Sequence, residues 1–210
     1  MKTAWSWKTR AMLWIMETWV YLWVAEHIVP YIRFRMYYTD IRGDRYKQGY
    51  QLLQPGDIIL AGDKWKLTTL MIGGEWCHAA LCVAKGDDVE YEIAEMTHMN
   101  YTKSHFYDVC READEFCILR CTVWDQDYIN DILIPTCKSF EHARYDYAFT
   151  YGLVTLYCSE LVVASDIESR LTVDTSVQSL GREHVSPTNL WESPDVRVIY
   201  SSREHKGQFA

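Results

Sequence analysis

The sequence predicts an α+β domain with a helix in front of it. Three observations carry this. Four short apolar segments, Ile58–Leu60, His78–Ala84, Val89–Met96 and Phe116–Val123, have the length and composition of strands. Two later segments, 126–143 and the stretch after Cys158, have apolar residues at helical spacing. Residues 1–38 carry a Trp-rich apolar run unlike anything that follows.

In that run, Lys2, Lys8 and Arg10 precede the apolar stretch from Ala11 to Ala25. A signal peptide has the same layout, but Glu17 interrupts the stretch and Trp23 suits the position before a cleavage site poorly. A membrane span needs about 20 apolar residues, and Glu17, Glu26 and His27 break that length. What remains is a helix with a wide apolar face, ending near Pro30. Residues 39–52 read as a polar connector. Leu53-Gln-Pro-Gly-Asp57 is a turn into the first strand. Residues 61–75 read as a loop with a short helix, closed by Gly73-Gly74. Lys85-Gly-Asp-Asp88 turns one strand into its hairpin partner. Pro135 kinks the helix 126–143. A last strand lies at Val196–Tyr200, and the tail from Ser201 is polar and frayed. The expected division is a helical extension at 1–48, the main domain at 49–200 and a tail at 201–210.

At 210 residues, 49% of them hydrophobic and 24% charged, the chain encloses a sizeable core. The net charge is −8 and no Lys/Arg stripe forms, which excludes a nucleic-acid partner and argues against a general affinity for anionic lipid. Seven cysteines without a CxxC pair point to free thiols in a reduced compartment. Cys110, Cys117 and Cys121 with His98 and His105 match no zinc spacing, so they read as buried apolar thiols.

One cysteine stands apart. Cys158 starts a helical stretch, where free N–H groups and the helix dipole favour a thiolate and a developing oxyanion. His78 heads a strand behind Trp76, and the next strand carries Glu92 and Glu95. Adjacent hairpin strands place a carboxylate beside an imidazole, which is what a cysteine nucleophile needs from a base and its orienting group. Taken singly, such a cysteine is more often a small core hydrophobe, and such a histidine more often structural.

The order of the segments adds to this. Leu53-Gln-Pro-Gly-Asp-Ile-Ile-Leu60, Trp76-Cys-His-Ala-Ala-Leu-Cys-Val83, Glu92-Ile-Ala-Glu-Met96, Tyr145-Asp146, Tyr157-Cys-Ser-Glu-Leu-Val162 and Val185-Ser-Pro-Thr-Asn-Leu190 together resemble the YiiX/YebB-like branch of the NlpC-type cysteine hydrolases. The resemblance covers about residues 52 to 195 and leaves the first 50 outside it. It implies a circularly permuted papain-like fold, with an antiparallel sheet packed against the helix that bears the nucleophile. It implies Cys158 as nucleophile, His78 as base and Glu95 as the orienting group, with Glu92 and His98 as alternatives for the third role. Asp57, Tyr145, Asp146 and Glu160 match motif positions and read as structural.

The implied chemistry is amide hydrolysis through an acyl-enzyme, on a peptide-like substrate such as a cell-wall stem peptide, without metal or organic cofactor. A lipid or thioester acyl hydrolase or acyltransferase is the second reading. A structural or interaction protein, for example a component of a larger assembly, is the third, since a fold does not fix a function. Trp5, Trp7, Trp14, Trp19 and Trp23 point to self-association or a protein partner through residues 1–38. Membrane contact ranks below both, because Glu17 and Glu26 oppose an anionic surface. The expected location is cytoplasmic or assembly-associated.

Overall fold

The computed structural model describes residues 14–15, 18–32, 41, 43–63, 75–86, 90–111, 113–149, 154–175 and 184–203. The expected short helix within 61–75 falls largely on 64–74, which lie outside the described residues, as do the start of the chain to 13, the turn residues 87–88 and the end from 204. The strands are β1 (Ile58–Gly62), β2 (His78–Lys85), β3 (Tyr91–Thr97), β4 (Asn100–His105), β5 (Glu115–Cys121), β6 (Arg144–Tyr145), β7 (Thr155–Leu156) and β8 (Val196–Ser201). The helices are α1 (Trp19–His27), α2 (Gly43–Leu52), α3 (Phe106–Arg111), α4 over 126–139, α5 (Cys158–Ser165) and α6 (Pro187–Trp191).

Six strands make one antiparallel sheet in the order β4-β3-β2-β1-β5-β8. The central strand β1 is Ile-Ile-Leu-Ala-Gly and is buried throughout, because both faces of the sheet are covered. Ile58 and Leu60 look to one side, where Leu133 and Cys137 of α4, Leu161 and Val162 of α5 and Leu190 of α6 pack on them. Ile59 and Ala61 look to the other, where Leu53, Phe106, Val109 and Phe116 close a second core with Tyr46 and Tyr50 of α2. The sheet is thus the middle of three layers, and α5 lies against β2 and β3.

Local chemistry explains the joints. Pro55 and Gly56 make the turn before β1, with Gly56 at φ +91°, a conformation only glycine adopts freely. Asp57 closes that turn by accepting from the Gln54 N–H at 2.8 Å, and its carboxylate also accepts two 2.7 Å hydrogen bonds from Arg120. The helix α4 runs as Gln126–Tyr128, a π turn Ile129–Leu133 and Ile134–Ser139. Pro135 has no N–H to give and its ring crowds the carbonyl four residues back. The wider turn relieves both, with the Ile134 N–H bonded five residues back to Ile129. The expected kink is therefore a π turn ahead of the proline, and the helix stops at Ser139 rather than 143.

Two expectations are corrected, and one strand is added to those expected. The supposed connector at 39–52 contains the helix α2, which crosses the expected boundary after residue 48. Its inner side is Tyr46, Gly49 and Tyr50, followed by Leu53, a spacing of three and four that a glycine and two tyrosines disguise as polar. Strand β4, Asn-Tyr-Thr-Lys-Ser-His, has no apolar alternation and becomes a strand by pairing along β3. The tail is tied down through Arg203: the Ser202 N–H bonds Phe116 O at 2.9 Å, and the Arg203 guanidinium lies 4.0 Å over the Trp76 ring while pairing with Glu75 and the buried Glu115.

Gly49 is where α2 touches the sheet. A Cβ there would stand 2.6 Å from the Phe116 ring, which is itself packed between Phe106 and Tyr200. Helix propensity favours Ala over Gly by about 1 kcal/mol, but this ring has no room to yield. We expect Gly49→Ala to destabilise the fold by about 1–3 kcal/mol in urea unfolding, the usual range for overpacking. A stabilised variant would show that α2 does not rest on Phe116.

Candidate active site

The site forms where the N-terminus of α5 meets the first residue of β2. Tyr157 caps α5 in an extended conformation, so Cys158 is the first helical residue. Neighbours fix that end. The Glu160 carboxylate accepts from the Tyr157 N–H at 3.4 Å, the Tyr157 hydroxyl accepts from the Val185 N–H at 2.9 Å, and the Ser159 hydroxyl donates to Val185 O at 2.7 Å. Cys158 is 2% exposed.

His78 reaches the thiol from the sheet. β2 and β3 are antiparallel with Ala80 opposite Glu95, which places His78 one diagonal step from that carboxylate. His78 Nε2 and Glu95 Oε2 are 2.6 Å apart, the length of a charge-assisted hydrogen bond. The second oxygen of Glu95 accepts from the Ser104 hydroxyl on β4. The His78 ring also lies close enough to Cys158 for each to shift the other's pKa. With Nε2 committed to Glu95, Nδ1 is the nitrogen left for the thiol.

The electrostatics follow. Burial alone would drive His78 toward its neutral form, but the hydrogen bonds and charges of Cys158 and Glu95 outweigh it and raise the imidazole pKa. Burial opposes a thiolate as well, yet the His78 ring and the N–H groups of Ala79 and Ser159 lower the Cys158 pKa below that of an ordinary thiol. Elsewhere burial pushes Cys82 and Cys110 far up, and Cys121 and Cys137 up to about 11. Both shifts favour an ion pair, thiolate and imidazolium, at a helix N-terminus.

The structure brings Cys158, His78 and Glu95 together and leaves the two alternatives elsewhere. Glu92 pairs with Lys138 at 3.7 Å, three residues along β3 from Glu95. His98 sits in the β3–β4 turn with its ring edge-on to Tyr31 and its carbonyl bonded to the Tyr147 hydroxyl. Among the described residues no three His, Cys, Asp or Glu side chains are placed to hold a metal ion. Read from the sequence alone, two neighbours of the site have no part in it. Ser104 lies on the strand that no pattern announces. Tyr145 reads as structural in the sequence, yet burial, and after it the charge of Cys158, hold its phenol well above the usual range, which places it near the site.

Comparison with known proteins identifies the family. Residues 52–200 match the family described as permuted papain-like amidase enzymes, YaeF/YiiX, C92 family. The chain belongs to this family. It is therefore a hydrolase of the cysteine amidase kind. Among solved structures, the crystal structure of the metalloprotein YiiX from Escherichia coli O157:H7 is similar, with a TM-score of 0.55 at 17% identity, covering 71% of this chain and 97% of that one. No curated protein matches. The permuted papain-like fold accounts for the order in the amidase chain, with the histidine strand ahead of the cysteine helix. Residues 1–51 lie outside the family match.

The lowered thiol pKa sets a measurable order of reactivity. With iodoacetamide at neutral pH, Cys158 alkylates first of the seven thiols, read by peptide mass spectrometry. Cys77 is the competitor, being half-buried, but its sulfur donates to Ala61 O and accepts from the Asp63 N–H. Faster labelling of Cys77 would contradict the ion pair.

Proposed function

We propose that the enzyme hydrolyses a peptide-like amide through an acyl-enzyme on Cys158, with His78 as acid and base and Glu95 as the orienting group. The observation that carries this is His78 held between the Glu95 carboxylate and the thiol at the start of α5. The Cys158 thiolate attacks the carbonyl carbon. The N–H of Ser159, which favours the thiolate at the start of α5, is a donor available to the oxyanion. The His78 imidazolium gives its proton to the leaving amine as the C–N bond breaks, which leaves a thioester and a neutral ring. That ring then takes a proton from water as the water attacks the thioester, and the thiolate leaves. Glu95, locked by Ser104, keeps the ring aimed and supports its positive form.

Cell-wall stem peptides are the substrate class that the resemblance suggests. YiiX is described as a metalloprotein, but the described residues here assemble no three-donor set, and every step above is carried by the chain's own side chains.

Cys158→Ala and His78→Ala should each lower kcat/KM on an amide substrate by about 10³-fold or more, and the double variant should lose no more than either alone. Losses that multiply would mean that the two groups do not share a step.

Glu95→Gln should retain more activity, because the amide oxygen still accepts from the ring. Its pH profile is the sharper readout. His78 has a raised pKa, so the imidazolium survives above its ordinary titration near 6.5; removing the Glu95 charge removes part of that support, so the alkaline limb moves to lower pH. An unmoved limb would assign Glu95 no hold on the ring.

A further inference from the structure

Glu95 lies between two strands, and each supplies it with a partner one diagonal step away. β2 sets Ala80 opposite Glu95 and brings His78 Nε2 to Oε2 at 2.6 Å. β4 sets Thr102 opposite Glu95 and brings the Ser104 hydroxyl to Oε1. Thiol, imidazole, carboxylate and hydroxyl thus follow one another across α5, β2, β3 and β4.

The sense of the last hydrogen bond matters. A serine hydroxyl has one proton to give, and an ionised carboxylate has only lone pairs to receive it. A hydroxyl that donates to a carboxylate oxygen favours the ionised form. Glu95 is buried, so water supplies little of this support. An acceptor on the far side of the His78–Glu95 bond leaves its proton on the ring, and a ring that keeps that proton can give the other to a leaving amine. We infer that Ser104 is a positioning residue for the amidase reaction: its hydroxyl holds Glu95 as an acceptor toward His78, so that the proton of that bond stays on the imidazole. This rests on the triad proposed above and adds a fourth member to it.

The neighbours of Ser104 are turned to other tasks. The Thr102 hydroxyl, directly across from Glu95, donates to Asn100 O at 3.2 Å and lies 3.0 Å from the Thr97 hydroxyl. Lys103 pairs with Glu141 at 3.9 Å, and Glu92, which stands opposite His105, pairs with Lys138 at 3.7 Å. The charges that act on the His78 ring are those of Cys158 and Glu95. The strand is also held in place. Ser104 stands opposite Ile93, the Tyr101 N–H bonds Ala143 O at 3.3 Å, and Asn100 Oδ1 accepts from the Tyr145 N–H at 3.1 Å. An edge strand tied along its length presents its hydroxyl at one fixed place.

Ser104→Ala and Ser104→Thr in the full chain test this. Alanine removes the donor, and threonine keeps it on a side chain that strands favour. On an amide substrate, Ser104→Ala should lower kcat/KM by about tenfold to a hundredfold, mostly in kcat, the usual effect of one hydrogen bond to a charged group. Its alkaline limb should move to lower pH, the direction expected of Glu95→Gln, and Cys158 should alkylate more slowly with iodoacetamide at neutral pH. Ser104→Thr should restore both the limb and the labelling rate. Ser104→Ala added to Glu95→Gln should cost little more than Glu95→Gln alone. Labelling needs no substrate, so it reads the site whatever amide is chosen. If Glu95→Gln slows labelling and moves the limb while Ser104→Ala changes neither, the inference is overturned and the triad stands. A Ser104→Ala variant that only melts at lower temperature, with its limb unmoved and no rescue by threonine, overturns it too, because that is a purely structural role. Labelling unchanged by His78→Ala would instead defeat the triad itself.

Discussion

The hydrogen bond between His78 and Glu95 is the contact on which the site depends. It ties the sheet to the thiol, and it exists because β2 and β3 pair in one register, with Ala80 opposite Glu95. A slip of one residue would turn Glu95 to the other face of the sheet and leave a buried carboxylate without its cation. The register is secured from both sides. β1 pairs Leu60 with Ala79 and Ala61 with His78, while β4 pairs Thr102 with Glu95 and brings Ser104 to the same carboxylate.

One stretch of chain braces the two halves of the site. Val185 accepts from Ser159 and donates to the Tyr157 hydroxyl, which pins the start of α5. Three residues on, the Thr188 hydroxyl accepts from the N–H groups of Glu75 and Trp76, just ahead of His78. Arg203 then covers the Trp76 ring and pairs with Glu75 from the far side. Thiol and imidazole therefore have a common anchor that belongs to neither element. This is how a cysteine and a histidine 80 positions apart are held close enough to shift each other's pKa.

Much of this was legible in the sequence, and what was not has identifiable causes. The turn at Pro55-Gly56, the buried run of β1, the His78 strand and the helix after Cys158 are strong local signals, and the fold and family followed from their order. Which of Glu92, Glu95 and His98 meets His78 depends on hairpin register, which two-residue periodicity does not specify. Strand β4 is polar and lies at the sheet edge, so Ser104 had no pattern to announce it. Helix α2 hid its apolar side behind Tyr46, Gly49 and Tyr50. Arg203 sits in a polar stretch whose partners, Glu75, Trp76 and Glu115, lie at least 88 residues away.

The central claim is that the resting site holds a thiolate and an imidazolium, supported by Glu95. The ring ¹⁵N shifts of His78, followed by NMR from acid to alkaline pH, test it most directly. The account predicts a doubly protonated ring that persists at pH values well above 6.5 and that titrates at lower pH once Cys158→Ala removes the thiolate. A His78 ring that is neutral at about pH 8 and titrates near 6.5 in both proteins would contradict it.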